Sequence, residues 1–404
     1  MNGEPVPHSV PAEQVLESRR SIWVEHLTLT NFRNYVYARV DVTPAPVVLL
    51  GANGSGKTNL LEAVSLLAPG QGLRRAPFTQ LARLGGSGDW AVAATVHTPK
   101  GTVDIGTGQL PAQGSADAGH RSGRLVRIDG VTQSGSGALA DWVEMVWLTP
   151  AMDGLFTGPA SDRRTFLDRL TLCFDPGFRT RASQFERAMR QRNRLLQDGA
   201  TDDALFAGLE LIMAETGVAT AAARIQAAAA LQAMITERRE REPDSPFPWS
   251  RVALEGWLED QLATQPAVDV EDAYRALLRR ERERDRAAGR TLVGPHRTDM
   301  LVEHGPKAMP AQFCSTGEQK ALLIGLVLAH AELLAERRAG AAPILLLDEI
   351  AAHLDVSRRS ALFEELLRIG SQAWMTGTDR QAFSALEGRA HFLHVEDGRI
   401  RALS

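Results

Sequence analysis

The chain has 404 residues, 44% of them hydrophobic and 23% charged, a length that suffices for about two to three domains. Its net charge of -4 and pI near 6.2 weigh against a surface that is basic throughout, although basic residues clustered on one face would still allow nucleic-acid binding. The two cysteines, Cys173 and Cys314, lack metal-ligand spacing. This excludes a disulfide framework and a zinc site, and it fits a reducing cytoplasm.

The segment 1–21 carries prolines and charges but lacks the apolar region of a signal peptide, so we expect a disordered lead-in. No apolar run approaches the roughly 20 residues of a membrane span, and no membrane association is expected. The alternation in 22–30 and 38–42 predicts two strands, and 47–50 predicts a short buried strand before a glycine-rich loop. Beyond that loop we expect a helix over 58–67, short strands over 90–149 and a loose hairpin tip at 108–123.

The character of the sequence changes at residue 158, where a Gly-Pro pair precedes a helix-capping serine. Helical patterns then cover 163–172, 181–196, 204–241 and 270–288. After Gly294-Pro295 we expect a helix over 319–338, a buried strand over 344–347, a helix over 358–368 and a strand over 373–376. The sequence therefore predicts an α/β fold: 22–157 and 291–404 are the halves of one domain, and 158–290 is a helical insertion lobe.

Residues 51–58 match the pattern G-x-x-x-x-G-K-[ST] of a phosphate-binding loop. Lys57 is predicted to neutralise phosphate charge in catalysis, and the hydroxyl of Thr58 to ligate Mg²⁺. An ordinary glycine turn is the alternative, but the position between a buried strand and an amphipathic helix favours ATP binding. The predicted contacts are Gly51, Ala52, Asn53, Gly54, Ser55, Gly56, Lys57, Thr58 and Asn59.

Two acidic residues, Asp348 and Glu349, follow the apolar run 344–347. A strand delivers its last side chains to the edge of the sheet where ligands of α/β folds bind. Asp348 is therefore predicted to ligate Mg²⁺, and Glu349 to act as general base towards water. Solvent-facing charges would explain the run equally well if it stood alone; the phosphate loop favours the functional interpretation.

A third motif, residues 315–319, precedes a long apolar helix. A serine, a glycine and a helix N-terminus favour contact with a γ-phosphate, and the candidates are Ser315, Gly317, Glu318 and Gln319. A capping box made by Ser315 and Glu318 is equally compatible with the local pattern. The order of the three motifs resembles that of ABC ATPases. That resemblance implies that the signature contacts ATP held by a second subunit, in an ATP-dependent homodimer.

Further motifs resemble the RecF family. They are Leu27-Thr28-Leu29-Thr30-Asn31-Phe32-Arg33-Asn34-Tyr35, then Gly158-Pro159-Ala160-Ser161-Asp162-Arg163-Arg164 with Phe166-Leu167-Asp168, and Gly294-Pro295-His296-Arg297. The resemblance implies an ABC-type P-loop ATPase head, related to SMC heads, with an antiparallel β subdomain and a helical lobe. It also implies ATP-dependent binding of gapped DNA or single-strand/double-strand junctions in replication and repair. Slow hydrolysis would release the DNA, and RecR and RecO would be partners in loading RecA.

The sequence departs from the family pattern at several positions. Glu349 stands where the family often has aspartate, but glutamate is the usual base in other ABC ATPases, so activity should survive. His353-Leu354-Asp355 resembles the D-loop that ABC ATPases place at the dimer interface, but Ala352-His353 stand where the family usually has Ser-Glu. In the signature, Thr316 replaces a more familiar glutamine. Near Thr149-Pro150 no glutamine is present for a Q-loop, which leaves Asp153 as a candidate. No switch histidine follows the last predicted strand; Thr378 is a candidate phosphate contact there, although strand-end hydroxyls are mostly structural.

Basic residues cluster in the predicted helical lobe. Arg187, Arg190 and Arg194 recur at helical spacing, so they share one face and are candidates for DNA-backbone contact. The arginines of 275–290 alternate with acids, which favours a solvated helix with ion pairs. Lys320 and Arg74-Arg75 are further candidate phosphate neighbours.

Three other classes of protein fit less well. An SMC protein would need long coiled coils with sustained heptads, and a transporter subunit would show a Q-loop and a switch histidine. A protein that holds ATP only as structural glue would not need Lys57, Asp348 and Glu349 together.

Overall fold

The computed structural model describes residues 21–110 and 124–403. Of the lead-in predicted over 1–21, residues 1–20 lie outside the described residues, and so do residues 111–123 of the hairpin tip predicted over 108–123. The strands are β1 (Trp23–Phe32), β2 (Tyr35–Asp41), β3 (Val47–Leu50), β4 (Trp90–Thr98), β5 (Gly101–Gln109), β6 (Leu125–Ile128), β7 (Val131–Thr132), β8 (Met145–Leu148), β9 (Ser250–Glu255), β10 (Asp299–His304), β11 (Met309–Pro310), β12 (Ile344–Leu347), β13 (Ala373–Gly377), β14 (His391–Glu396) and β15 (Arg399–Leu403).

Most of the helices lie between Ala160 and Ala288, and the others connect strands of the sheets. The helices are α1 (Lys57–Ser65), α2 (Ala160–Phe174), α3 (Phe178–Gln197), α4 (Asp203–Arg241), α5 (Trp257–Leu262), α6 (Ala267–Arg280), α7 (Arg282–Ala288), α8 (Thr316–Arg337) and α9 (Val356–Ile369). The described residues form two compact units, one ending at Met152 and resuming at His330, the other spanning Asp153–Ala329. The four-segment division expected from the sequence stays a prediction.

The first unit contains two six-stranded sheets, ordered β2-β1-β4-β5-β6-β7 and β15-β14-β3-β13-β12-β8. Neighbouring strands of the first sheet are antiparallel. In the second, β14, β3, β13, β12 and β8 run parallel and β15 closes one edge antiparallel. Every residue of β3 and β12 is buried, because a parallel strand is covered on both faces, and this explains their continuous apolar sequences.

One hydrophobic core joins the two sheets of the first unit to helix α1. Leu60, Leu61 and Val64 of that helix belong to the same buried cluster as Trp90 of β4 and Trp374 of β13. The amphipathic pattern that predicted the helix over 58–67 therefore identified the face that packs on the sheets.

The second unit combines helices with a three-stranded antiparallel sheet, β11-β10-β9. Strand β9 lies inside the segment predicted to be mainly helical, and it is held by pairing with β10. Its six residues are too few for periodicity to identify it, and its partner is distant in sequence. The single helix predicted over 270–288 is two helices, because the backbone leaves helical geometry at Glu281 (φ -87°, ψ 5°).

Helix α4 is the longest element of the second unit, with 39 residues. Among the described residues it is the helix long and apolar enough to cross a membrane, with a mean hydropathy of 1.4 over its most apolar 18 residues, half of which are buried. The core helix of a soluble protein meets the same criterion, so this is weak support for a span. Buried residues Met213, Ala214 and Val218 of α4 pack in one cluster with Phe185 and Tyr274.

An arginine buried in the second unit connects four helices, α3, α4, α6 and α7. Arg192 of α3 is fully buried; its guanidinium donates to Glu210 (3.0 Å), Asp285 (2.7 Å), the Thr291 hydroxyl (2.9 Å) and the carbonyl of Leu278 (2.6 Å). Four acceptors satisfy a charge that would otherwise be costly to bury. Arg192 belongs to the basic run of α3, the arginines 179, 181, 187, 190, 192 and 194, but its role is structural.

Replacing Arg192 by leucine should lower the free energy of unfolding of the second unit by about 3–5 kcal/mol, because the buried Asp285 loses its counter-charge and the buried Glu210 keeps only Arg282. Arg190→Leu on the same helix is the control, since Arg190 is 68% exposed and its pair with Glu186 spans 3.7 Å, a geometry worth about 0–1 kcal/mol. Urea denaturation measures both variants. Equal losses of stability would contradict the structural role of Arg192.

Candidate nucleotide site

The predicted phosphate loop connects the end of β3 to the start of α1. Gly56 caps the helix in the left-handed region (φ 116°), and a Cβ there would lie 2.5 Å from Nδ2 of Asn34. A Cβ at Gly51 would lie 2.2 Å from the backbone oxygen of Val395. Both positions therefore exclude a side chain, and the loop can follow the tight path that turns backbone N–H groups towards a bound anion.

Two polar side chains of the loop fit an anionic ligand. Lys57 is buried, and its Nζ donates to the carbonyls of Gly51 (2.7 Å) and Ala52 (2.8 Å). Burial lowers the pKa of Lys57, and the nearby carboxylates of Glu349 and Asp348 oppose that shift. The Oγ of Ser55 is buried and has no hydrogen-bond partner among the described residues. A loop that carries an orphaned hydroxyl and an ammonium group fits an anionic ligand with acceptor oxygens.

The phosphate loop and the carboxylate strand meet at one edge of the sheet. Thr58 donates a hydrogen bond from Oγ1 to Oδ1 of Asp348 at 3.0 Å, so the two predicted Mg²⁺ ligands are adjacent. The same Oδ1 accepts a bond from Oγ1 of Thr376, at 2.7 Å. Thr376 also accepts the backbone N–H of Glu349, at 2.8 Å, and the Glu349 side chain remains exposed. Hydroxyl and carboxylate oxygens are the donors that Mg²⁺ prefers.

The oxygens of Thr58 and Asp348 fit Mg²⁺ only as part of its coordination sphere. No group of three or more His, Cys, Asp or Glu side chains suited to a metal occurs within 21–110 and 124–403. Mg²⁺ commonly takes one or two protein ligands and completes its octahedron with phosphate oxygens and water. The donor set therefore fits a metal that arrives with a nucleotide, and the roles of these residues stay predictions.

The turn between β1 and β2 supports the phosphate loop from outside. Tyr35 donates to the carbonyl of Gly56 at 3.0 Å, and burial raises the pKa of its hydroxyl. Nδ2 of Asn34 donates to the carbonyl of Ser55 at 3.1 Å, and its Oδ1 accepts from Asn59 at 2.8 Å. In the sequence, Asn34 and Tyr35 stand out only as part of a family motif, and nothing in that motif indicates this supporting role.

In the second unit, Ser315 and Glu318 of the predicted signature form a capping box, the alternative to phosphate binding that the local sequence pattern also allowed. The backbone N–H of Ser315 donates to Oε2 of Glu318 (3.0 Å), and the N–H of Glu318 donates to Oγ of Ser315 (3.4 Å). Gln319 is buried and donates to the carbonyl of Cys314 at 3.0 Å. This is a capping box at the start of α8. The predicted γ-phosphate contact of Ser315, Gly317, Glu318 and Gln319 stays a prediction.

The secondary candidates fall into different environments. Asp153, suggested for the Q-loop, forms an ion pair with Lys320, with 3.4 Å between Oδ2 and Nζ. Thr378 is exposed, whereas Thr376, two residues earlier, contacts Asp348. The side chain of His353 lies outside what the structure describes, so its predicted place in a D-loop stays a prediction.

The candidate DNA contacts Arg187, Arg190 and Arg194 are all exposed on α3. Arg190 and Arg194 have acids one turn away, each at 3.7 Å. The arginines of 275–290 are more extensively paired, for example Arg282 with Asp203 and Glu210. The arginines of 275–290 therefore have more acidic partners than these three arginines of α3, which agrees with their interpretation as an ion-paired surface.

Comparisons with known proteins identify the family. The profile described as RecF/RecN/SMC N terminal domain matches residues 23–400. The DNA replication and repair protein RecF of Mesorhizobium japonicum is 56% identical over 378 residues, covering 93% of this chain and 97% of that protein. The chain belongs to the RecF family. The RecF protein of Brucella suis biovar 1 is 52% identical and covers 94% of this chain and 96% of its own.

Solved structures agree on the fold. The recombination mediator protein RecF-ATPrS of the RecFOR pathway has a TM-score of 0.82 at 20% identity, covering 96% of this chain and 100% of that one. The Smc head domain from Pyrococcus furiosus, bound to the C-terminal domain of ScpA, has a TM-score of 0.52 at 16% identity, with 95% and 96% covered. The predicted family and the predicted fold class, an ABC-type ATPase head of the RecF and SMC kind, are confirmed.

The capping box predicts a pH-dependent stability. A hydrogen bond from Lys307, followed by those from the Ser315 backbone and hydroxyl, lowers the pKa of Glu318 from 4.5 to about 2. The pKa is lower in the folded than in the unfolded state, so the stabilisation is fully present above pH 4.5 and is lost as the pH falls towards 2. The melting temperatures of the wild type and Glu318→Gln should therefore differ at pH 6 and converge as the pH approaches 2. A difference that stays constant over this range would contradict the assignment.

Proposed function

We propose that this RecF-type DNA repair protein binds ATP and Mg²⁺ at the loop 51–59, dimerises on ATP, and binds gapped or single-strand-containing DNA. Slow hydrolysis would then release the DNA, and the bound state would support RecA loading. The observation that carries the proposal is the contact between Thr58 and Asp348, which brings the phosphate loop and the carboxylate strand into one oxygen-rich site. Relatives named for DNA replication and repair and neighbours named as RecF-ATP support it.

Each residue of the site has a role that follows from its chemistry. Lys57 and the backbone N–H groups of the loop would bind the phosphates. When bound through Thr58 and Asp348, Mg²⁺ would supply charge neutralisation at the phosphate oxygens. Glu349 would accept the proton of the attacking water, because its carboxylate is exposed while its backbone is held by Thr376.

The homodimer follows from the signature. By resemblance to ABC ATPases, Ser315, Gly317, Glu318 and Gln319 would contact the γ-phosphate held by a second copy. The first turn of α8 offers the N–H groups and the positive dipole end that an anion requires. Since Glu318 is bound to Lys307 and Ser315, the capping contacts would have to rearrange or share their donors when the phosphate binds.

DNA would be held through its backbone. The exposed face of Arg187, Arg190 and Arg194 would contact phosphates, in a manner that depends on shape and charge and not on bases. RecR and RecO are the proposed protein partners, and the cytoplasm is the proposed location, by resemblance to the family.

Glu349→Gln should lower the rate of ATP hydrolysis by about 10²–10⁴-fold while the Kd for ATP changes little, because only the proton acceptor is lost. The variant should remain on gapped DNA in the presence of ATP longer than the wild type does. Turnover and DNA dissociation are measured on the same preparation. Glu387→Gln, an exposed glutamate of the same unit, is the control. Dissociation as fast as that of the wild type would contradict the role of Glu349.

Reversing Arg187, Arg190 and Arg194 to glutamate should weaken DNA binding and reduce the slope of log K against log salt by about two to three, or roughly 0.9 per lost phosphate contact. The matched control reverses Arg275, Arg280 and Arg284, which are exposed and ion-paired, with the same change in net charge. Titration of labelled gapped DNA at several salt concentrations gives the slopes. An unchanged slope in the first variant, or equal changes in both, would exclude this surface.

A further inference from the structure

A single buried hydroxyl joins the two carboxylate residues of the candidate site. Thr376 lies near the end of β13, and its side chain is fully buried. Its Oγ1 donates to Oδ1 of Asp348 at 2.7 Å and accepts the backbone N–H of Glu349 at 2.8 Å. One atom therefore contacts the side chain of the predicted metal ligand and the backbone of the predicted base.

The position of Thr376 follows from the sheet. Strand β13 lies between β3, which leads into the phosphate loop, and β12, which leads into the carboxylates. Thr376 is paired in register with Leu49 of β3, and Leu347 of β12 with Met375. The hydroxyl is thus fixed by two parallel ladders, which restrict its position more than a loop would.

The contact matters for Glu349 because its backbone is unusual. Glu349 has φ 52° and ψ 30°, in the left-handed region that a residue with a side chain adopts only when its surroundings hold it there. Its N–H is bound to Thr376. Without the acceptor, this peptide would lose a contact that keeps it in the strained conformation, and the direction of the carboxylate would change with it.

The contact matters for Asp348 because its Oδ1 accepts hydrogen bonds from two hydroxyl groups. Thr58 donates to it at 3.0 Å and Thr376 at 2.7 Å. If Thr58 turns its hydroxyl oxygen towards a metal, the bond from Thr376 still holds the orientation of the carboxylate. Hydrogen bonds to a charged acceptor are stronger than neutral ones, so this one can fix the rotamer of Asp348.

We propose that Thr376 is a positioning residue for ATP hydrolysis: its hydroxyl holds the Asp348 carboxylate and the Glu349 backbone in the arrangement that hydrolysis requires. The inference rests on the proposed function of this site. It differs from the structural role usual for strand-end hydroxyls, because it predicts an effect on turnover and on the requirement for metal, not on stability alone.

The test uses the full chain and compares Thr376→Val with Thr376→Ser. Valine keeps the branched shape but removes the donor and the acceptor, whereas serine keeps the hydroxyl. Thr376→Val should lower kcat by about 10- to 100-fold, the factor expected when a charge-assisted hydrogen bond is lost. It should raise the Mg²⁺ concentration for half-maximal activity, while the Kd for ATP without metal stays within about threefold. Thr376→Ser should keep kcat within about threefold of the wild type.

The control is Thr107→Val, which removes another buried threonine hydroxyl, one that donates to the Leu125 carbonyl on the antiparallel sheet. It should leave kcat and the Mg²⁺ requirement unchanged. If Thr376→Val does not fold, Thr376→Cys replaces it, because a thiol is a weak donor and acceptor; it should lose turnover where serine does not.

The outcomes separate this inference from the proposed function. If Glu349→Gln slows hydrolysis but Thr376→Val turns over like the wild type, Thr376 is not a positioning residue and the proposed function stands. If serine fails to restore what valine loses, shape and not the hydroxyl is responsible, and the inference is overturned. If the wild type does not hydrolyse ATP, the proposed function fails and the inference fails with it.

Discussion

The hydrogen bond from Thr58 to Asp348 joins residues 290 positions apart in the chain, and the candidate site depends on it. The contact exists because β3, β13 and β12 are parallel neighbours. Parallel strands end at the same edge of a sheet, so the residues that follow β3 and β12 must meet there. The short apolar sequences of these strands are therefore as necessary to the site as its polar residues, since burial on both faces holds the parallel arrangement.

The local motifs of the site could be predicted from the sequence, whereas its supporting contacts could not. The loop 51–58, the strand 344–347 and the acids after it each carry their information within a few neighbouring residues. Thr376, Asn34 and Tyr35 contribute hydrogen bonds to Asp348, Ser55 and Gly56. These contacts depend on sheet register and on the β1–β2 turn, which the periodicity of the sequence does not reveal. Strand β9 was missed for the same reason, because β10 lies about 50 residues further along and supplies its hydrogen bonds.

The basic run of α3 shows why charge in a sequence does not by itself indicate a binding surface. Arg192 and Arg190 are two residues apart, yet one is fully buried among acids and the other is 68% exposed. Arg187, Arg190 and Arg194 share an exposed face, since three- and four-residue steps return to the same side of a helix, and Arg192 lies off that face. The signature poses a similar ambiguity, because Ser315 and Glu318, which cap α8, are also among the residues proposed to contact a phosphate.

The most direct test of ATP-driven dimerisation is the solution mass of the protein with and without Mg²⁺ and ATP, measured for the wild type and for Glu349→Gln, alone and with gapped DNA. ATP-driven dimerisation predicts a monomer without nucleotide, a dimer with ATP that Glu349→Gln stabilises, and DNA held only by the dimer. A protein that binds ATP but remains a monomer under all these conditions would contradict it, because the signature would then have no second nucleotide to contact.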